Sequence, residues 1–156
     1  MTKLEKNTKL DFKQKSNETS MQAGYEWLMK YLGIKTPENF QKKYFTPEES
    51  FEITSEKIMK DYPELKIRVK IEEDGGRKIE RIKKLIDAGT PCLFALNVGR
   101  DNWHVFPVIG YDDDAGKLIM IEPSGSEIKL DYEYIKEIHG KHSRNIGHEV
   151  SWIEQS

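Results

Sequence analysis

The sequence predicts a single α+β domain in which helices come first along the chain and an antiparallel sheet follows. In the first half, apolar residues recur at helical spacing between capping residues and glycine stops. From Pro91 onward, short apolar runs alternate with turn residues, which is typical of antiparallel strands. The 156 residues suffice for one domain with its own core. Residues 1–9 alternate polar and charged types and predict a flexible arm, so we assign the domain to residues 10–156.

Four helices are predicted in the first part of the chain. They cover residues 20–32, a short segment after Thr36-Pro37, a segment from Thr46-Pro47 to Tyr62, and residues 77–88. The first helix has the form of a capping box, with Thr19 as the cap and Gln22 reaching back to it. Its apolar face predicts that it packs against the rest of the domain.

Six strands and one further helix are predicted around and after these helices. The strands cover residues 67–71, 92–98, 103–111, 117–122, 126–130 and 147–154, and the helix runs from Asp131 to His139. The acidic, turn-rich run over residues 112–116 predicts a hairpin loop. Pro107 lies inside a strand, which predicts an edge or a bulge there, because proline cannot donate a hydrogen bond to a sheet ladder.

Composition excludes several classes of function. The net charge of −2 is spread over interleaved signs, so no strong field favours nucleic acid or an acidic membrane. No apolar run reaches the roughly 18 residues of a membrane span, and the N-terminus lacks the apolar core of a secretory signal. We therefore expect a cytoplasmic protein, although a secreted chain without a visible signal stays open. Cys92 is the one cysteine, which excludes an intramolecular disulfide and a cysteine-rich metal site.

Ser20 begins the most apolar helix, at a position that suits a nucleophile. A helix N-terminus presents unpaired N–H groups and the positive end of the helix dipole, which stabilise a thiolate or an oxyanion. Gln14, six residues earlier, can place a side-chain amide at the same point as a second oxyanion donor.

The predicted hairpin brings a histidine and a carboxylate to this site. If Tyr111 pairs with Lys117, the antiparallel register makes His104 and Glu122 diagonal neighbours on one face of the sheet, about 7–8 Å apart at the backbone. A carboxylate that accepts one imidazole N–H leaves the other ring nitrogen free to act as a base. A slip of one residue would put the two on opposite faces. Together, Gln14, Ser20, His104 and Glu122 form a candidate acyl-transfer site.

In these segments the chain resembles the papain-like cysteine peptidases of the small bacterial type, above all those that process double-glycine leader peptides and their stand-alone relatives. In that family a Gln precedes the catalytic Cys by six residues, as Gln14 precedes Ser20, and the Cys opens the central helix. The family's His begins a strand of the form H-x-V-x-V-x-G-Y-D-D, which is similar to WHVFPVIGYDD from Trp103. A carboxylate or amide before a proline completes the triad, like Glu122. The likeness covers roughly residues 10–153.

The resemblance implies a papain-like fold and thiol-dependent acyl transfer on a peptide or protein, with no metal and no organic cofactor. It implies that residue 20 attacks the carbonyl, His104 moves the proton, Glu122 orients His104, and Gln14 helps to hold the oxyanion. Two departures bear on this. Met21 stands where glycine is usual, and Ser20 replaces the cysteine, so the papain-type pairing of thiolate with imidazolium is lost and the chain is expected to be inactive as given.

Three interpretations of Ser20 remain open. It is an engineered replacement in an active cysteine peptidase, a natural feature of a pseudo-peptidase that binds a peptide without cutting it, or a true serine nucleophile served by His104. A protein deamidase or a toxin-type effector would use the same site. The partner is then a peptide or protein and not a nucleic acid, and the sequence leaves the substrate and the oligomeric state undefined.

Each candidate residue also has an ordinary structural explanation. Ser20 suits a plain helix start, His104 a core position, Glu122 the end of a strand, and Gln14 a surface amide.

Other potential sites are disfavoured. Cys92 lies mid-strand and fits a buried small hydrophobe. His139, His142 and His148 have no carboxylate or cysteine at ligand spacing, so no metal site is predicted.

Overall fold

The computed structural model describes residues 1–4, 10, 14–15, 19–47, 50–97, 103–122, 124–140 and 148–154. Its helices are α1 (Ser20–Tyr31), α2 (Phe40–Lys43), α3 (Phe51–Asp61), α4 (Gly75–Asp87) and α5 (Tyr132–Gly140). Its strands are β1 (Thr2–Lys3), β2 (Lys66–Ile71), β3 (Cys92–Asn97), β4 (Trp103–Asp112), β5 (Lys117–Ile121), β6 (Glu127–Asp131) and β7 (Glu149–Glu154). The predicted α+β class is confirmed.

The strands form one antiparallel sheet. Its order is β2-β7-β3-β4-β5-β6, and β1 pairs with β4 beside the end of β3. Of the six strands on this path, β2 lies at one edge and β6 at the other, β3 and β4 form the centre, and the last strand of the chain, β7, lies between β2 and β3. That last strand, β7, links the N-terminal and C-terminal parts of the sheet.

The N-terminus differs from the prediction. The sequence predicts a flexible arm over residues 1–9, but Thr2 and Lys3 pair with Tyr111 and Gly110 of β4, and Leu4 is buried. A Cβ atom at Gly110 would lie 2.6 Å from the carbonyl oxygen of Thr2, so the close approach of β1 requires a glycine there. Residues 5–9 lie outside the described part of the chain, and the domain boundary at residue 10 stays a prediction.

The third helix also begins later than predicted. The sequence places its cap at Thr46, whereas α3 begins at Phe51, and Ser50 is the N-cap, because its side chain accepts a hydrogen bond from the Ile53 N–H. The Thr46 hydroxyl instead lies 3.2 Å from that of Thr54, inside the protein. A Thr-Pro pair and a serine before a helix are both good starts, and tertiary contacts decide between them.

Helices cover both faces of the sheet. On one face, α1 lies so close to β3 and β4 that a Cβ atom at Gly24 would meet the side chains of Leu93 and Val105 at 2.9–3.2 Å. On the other face, α4 places the Lys78 Nζ atom over the ring of Phe94, 4.9 Å from its centroid. Every residue of α1 except Lys30 is buried, so α1 is the central helix that the sequence predicts.

Candidate functional site

Ser20 is the first residue of α1 and lies against the start of β4. It is 8% exposed, and its Oγ accepts a hydrogen bond of 3.2 Å from the backbone N–H of Val105. Because Gly24 permits the close approach of α1 to β4, the first turn of the helix meets the strand that carries His104. The structure thus brings Ser20 next to the backbone of His104.

The predicted capping box does not form. Thr19 is the N-cap of α1 but makes no side-chain cap, and its hydroxyl donates to Gln41 Oε1 over 3.1 Å. The side-chain amide of Gln22 donates to the carbonyl oxygen of Tyr44 instead of reaching back. The Thr19 side chain therefore does not occupy the first-turn N–H groups of α1. An oxyanion site at a helix start requires such N–H groups to be free of a side-chain cap.

His104 precedes Val105, whose backbone N–H binds Ser20, but the His104 ring makes no hydrogen bond to Ser20. Its ring is half-buried, and its Nδ1 atom is buried with no hydrogen-bond partner within the described part of the chain. The ring faces Phe106 on the same side of β4, with 6.2 Å between the centroids. A buried ring nitrogen without a partner costs free energy, and such an atom in a native fold calls for an explanation.

The register of the β4–β5 hairpin differs from the prediction at the turn and agrees with it near the site. Asp112, not Tyr111, pairs with Lys117, which is a slip of one residue. A bulge between Val108 and Gly110 then inserts one extra residue in β4, so that Val108 pairs with Met120, as the predicted register requires. His104 and Glu122 consequently extend from strand segments whose side chains share a face of the sheet. The predicted irregularity at Pro107 is found one residue further on.

Glu122 follows β5 directly and lies in the turn to β6. Its N–H donates to the carbonyl oxygen of Ser126 over 2.9 Å, and its own carbonyl accepts from the Gly125 N–H. Its carboxylate accepts a hydrogen bond of 3.0 Å from the Ser124 hydroxyl. The structure contains no hydrogen bond between Glu122 and His104, so the predicted orienting contact is not formed in this conformation.

Gln14 is half-buried, and a buried amide ties its neighbourhood to α1. The N–H of Lys15 donates to Gln41 Oε1 over 2.9 Å, and the same oxygen accepts the hydroxyl of Thr19. The Gln41 amide in turn donates to Glu26 Oε1 over 2.9 Å. The oxyanion role of Gln14 stays a prediction, but the bonds to Gln41 hold the backbone next to Gln14 near the start of α1. The sequence signal for this network was Glu26, a charged residue among the apolar positions of the first helix.

The remaining candidates have structural roles. Cys92 is fully buried, and burial raises the pKa of its thiol well above the usual range, which excludes it as a nucleophile. The rings of His139 and His148 stack with centroids 4.1 Å apart. In the described ranges no three His, Cys, Asp or Glu side chains are placed to hold one metal ion, and His142 lies outside those ranges.

No helix in the described ranges has the length and apolar character needed to cross a membrane.

Comparison with solved structures relates this fold to peptidase domains. The chain is similar to the peptidase domain of Streptococcus ComA, a bi-functional ABC transporter, with a TM-score of 0.67 and 13% identity over 93% of this chain and 97% of that one. It is similar to a C39-like peptidase from Bacillus anthracis, with a TM-score of 0.67 and 14% identity over 100% of this chain and 99% of that one. It is also similar to a double glycine motif protease from an AMS/PCAT transporter in complex with the leader peptide. The TM-score is 0.63 and the identity 12%, over 100% of this chain and 99% of that one.

These likenesses establish the fold. No family model and no curated protein matches the sequence. At 12–14% identity the solved structures share the architecture, and the predicted papain-like fold is confirmed.

Proposed function

We propose that this chain, built on the papain-like fold of C39-like peptidase domains, is a peptidase-type domain whose site performs thiol acyl transfer on a peptide when residue 20 is cysteine. With Ser20, as the chain stands, we propose that it binds the peptide but cleaves it slowly or not at all. The proposal rests on one observation above the others. The Oγ of Ser20 lies next to the backbone of His104, whose Nδ1 is buried and unpartnered among the described residues.

The Nδ1 atom of His104, which has no hydrogen-bond partner among the described residues, supports the proposal that a thiol belongs at position 20. In a thiol peptidase the histidine shares a proton with the cysteine as an imidazolium–thiolate pair. Pairing a thiolate at position 20 with the imidazole requires the His104 side chain to turn from the Phe106 side of β4 toward the start of α1. Ser20 instead accepts a backbone N–H, and this bond satisfies the hydroxyl without involving His104.

The proposed reaction assigns one role to each residue. The thiolate at position 20 attacks the peptide carbonyl, and the first-turn N–H of residue 20 and the Gln14 amide hold the oxyanion. His104 then gives its proton to the leaving amine and afterwards takes one from the water that releases the acyl group. Glu122 orients His104, for which its carboxylate has to exchange the Ser124 hydroxyl for an imidazole N–H.

The first experiment tests activation at position 20. Ser20→Cys is alkylated with iodoacetamide near pH 6 and followed by intact mass, and Ser20→Cys/His104→Ala is the control. An ordinary thiol is only about 0.3% ionised at that pH, so an imidazole-activated thiol should react at least about tenfold faster than the control. Peptide mapping counts Cys92 separately, and we expect it to stay unmodified because it is fully buried. Equal, slow alkylation of both variants contradicts the proposal.

A second candidate is a natural pseudo-peptidase that binds a peptide and never cleaves it. The hydrogen bond from Ser124 to Glu122 favours it, because a site without selection for chemistry need not keep the carboxylate on His104. Fluorescence anisotropy with a labelled double-glycine peptide separates the two. Binding by the Ser20 chain together with a slow thiol in Ser20→Cys supports the binding module. Fast alkylation of Ser20→Cys and cleavage of the same peptide supports the peptidase.

A further inference from the structure

A groove lies between α3 and the edge strand β2, on the same face of the sheet as α1. It encloses about 550 Å³. One helical face of α3 forms its wall with Glu52, Glu56 and Met59, and β2 forms its floor with Val69 and Ile71. Glu149, the first residue of β7, pairs with Ile71 and closes the groove at its end. The groove is separate from Ser20, which meets β4, three strands away from β2 in the sheet order.

Glu149 is a buried carboxylate that the protein leaves without a partner. It is 9% exposed, it lines the groove, and in the described part of the chain its side chain makes no hydrogen bond or ion pair. The buried amine of Lys78 lies on the other face of the sheet, where its Nζ donates to the carbonyl oxygen of Ala95. A carboxylate that is largely removed from water and has no hydrogen bond or cation beside it carries a desolvation cost that a bound cation would offset. Since Glu149 lines the groove, the space in front of it is where a counter-ion fits.

The groove is negative along its length. Glu52 and Glu56 are exposed on the α3 wall, and Glu52 is close enough to raise the pKa of Glu149. The basic residues of β2 do not compensate for them, because strand alternation turns Lys66, Arg68 and Lys70 to the opposite face. There Arg68 pairs with Glu154 at 2.7 Å. Among the described residues, three carboxylates therefore face the groove, and no cationic side chain lines it.

The floor is suited to an aliphatic chain. Ile71 is 44% exposed, one of the few large apolar side chains of the described residues with so much surface in water. Val69 and Met59 continue the apolar surface along the groove toward α3. A ligand with an aliphatic chain and a positive charge at its end would cover the apolar surface of the floor and pair its charge with the carboxylate of Glu149.

We propose that this groove binds a lysine side chain of a peptide partner, with the ammonium group paired to Glu149 and the aliphatic stem lying on Val69 and Ile71. Glu52 and Glu56 add charge complementarity around the entrance and attract the basic segment before contact. This site does not involve residue 20, so a test of peptide binding here is independent of any test of the proposed acyl-transfer chemistry.

Binding at this groove is linked to pH. Burial and the charge of Glu52 raise the pKa of Glu149 to about 7, and the charge of Lys78 on the other face opposes them. Tyr25 on α1 faces the same region, but burial and Glu149 raise its pKa well above the usual range, so it stays neutral here. A bound ammonium favours the ionised carboxylate and releases a proton, so affinity should rise as pH goes from 6 to 8.

The test uses the whole chain and a capped peptide, Ac-Ala-Ala-Lys-Ala-Ala-NH2. Its neutral counterpart carries Nε-acetyl-lysine, and n-pentylammonium chloride serves as the small-amine probe. Backbone amide shifts of the ¹⁵N-labelled protein are followed at low salt. We expect shifts at Val69, Ile71 and Glu149, binding at least tenfold weaker for the acetylated peptide, and a further loss below pH 6.

Two variants and one control locate the binding. Glu149→Gln should weaken the lysine peptide at least tenfold and also raise the midpoint of urea unfolding, because it removes an unpaired buried charge. Glu52→Gln, at an exposed position, should weaken binding a few-fold and keeps the test valid if the first variant folds poorly. Glu133→Gln removes a carboxylate that is 88% exposed on α5 and should change nothing.

Three outcomes overturn the proposal. Equal binding of the lysine and acetyl-lysine peptides would show that charge is not recognised. Unchanged binding by Glu149→Gln would place the contact elsewhere. Binding of n-pentylammonium as tight as that of the peptide would assign the groove to a small amine and not to a protein partner.

Discussion

The two faces of the sheet hold their buried polar groups in different ways. On the face that α1 covers, the hydroxyl of Tyr25 lies 2.7 Å from that of Ser151, and the amide of Gln41 donates to Glu26. On the face that α4 covers, Lys78 and His139 are buried, and both ring nitrogens of His139 lack a hydrogen-bond partner among the described residues. The buried groups around α1 are held by hydrogen bonds, whereas those under α4 include Lys78 and His139, whose protonated forms are disfavoured by burial.

Titration distinguishes the two faces further. Burial lowers the pKa of Lys78 to about 7, and burial with the charge of Lys78 lowers the pKa of His139. Hydroxyl and amide pairs on the α1 face keep their protons across the same range. We therefore expect the hydroxyl and amide pairs around α1 to keep the geometry of the site at moderate pH, whereas Lys78 and His139 on the α4 face, together with Glu149 in the groove, make the stability of the protein depend on pH.

The largest effect is expected from Lys78→Met, which replaces the buried amine with an apolar side chain of similar length. An unfolded lysine keeps its proton up to about pH 10.4, whereas the folded one loses it near pH 7, so the unfolded state binds more protons between these values and stability rises with pH. The cost is fully present at and below pH 7. The variant should gain on the order of 3 kcal/mol there, and the gain should shrink toward pH 10.

Urea unfolding of the variant and the parent chain at pH 7 and pH 9 checks this. Lys84→Met, at an exposed position of the same helix, is the matched control and should leave the pH dependence unchanged. A destabilised Lys78→Met variant would mean that the amine contributes through its bond to Ala95 and the ring of Phe94, and the contrast between the two faces would then be wrong.

A smaller effect is expected from Gly24→Val, which tests the close packing of the α1 face. Its Cβ atom would meet Leu93 at 2.9 Å and Val105 at 3.2 Å, and both partners are buried. Such overpacking costs about 1–3 kcal/mol. Because Ser20 is one turn away, the thiol of Ser20→Cys should also react more slowly in the Gly24→Val background.

A double-mutant cycle identifies the cause. If contact with Leu93 is responsible, Leu93→Ala should cost less in the Gly24→Val background than in the parent chain, since its truncation makes room for the new side chain. Additive losses would contradict the packing explanation.

The smallest effect is expected from Tyr25→Phe. Ser151 donates to the carbonyl oxygen of Arg68 over 2.8 Å, so Tyr25 is the donor in the bond between the two hydroxyls, and Ser151 keeps its other partner when that bond is removed. The loss should be about 1 kcal/mol in urea unfolding, the usual contribution of one buried hydrogen bond. Tyr134→Phe, 40% exposed on α5, should change stability by much less. Equal losses of stability in the two variants would show that the hydrogen bond between Tyr25 and Ser151 does not stabilise the α1 face.

Periodicity predicted the elements well, and contacts between elements decided the rest. The first helix is found at Ser20–Tyr31, as its apolar spacing predicts, and the strand over 103–111 is found at Trp103–Asp112. The register was predicted wrongly at the turn, because alternation cannot specify where a strand takes up an extra residue. The bulge after Val108 lies where β1 approaches Gly110, and that pairing is not visible in a polar N-terminal segment.

The candidate site was predictable as a set of residue types and not as a set of contacts. The start of α1 and the start of β4 do meet, through Ser20 and Val105, but the hydrogen bond uses a backbone N–H that no sequence pattern marks. The partner of Glu122 is Ser124, two residues away, because a turn makes that local bond available without any tertiary contact. The sequence predicts that Glu149 is an acidic residue in a strand, but its position in the groove depends on how α3 packs over β2.

The bulge after Val108 has a practical consequence for protein engineering. It separates the β4–β5 turn from the strand segment that carries His104, so the pairing at Asp112 and Lys117 follows one register and the pairing at Val108 another. The turn at Asp113–Gly116 is exposed at its tip around Asp114. A reporter domain or an epitope grafted there would load only the outer part of the hairpin, which makes this turn the natural attachment point for a label.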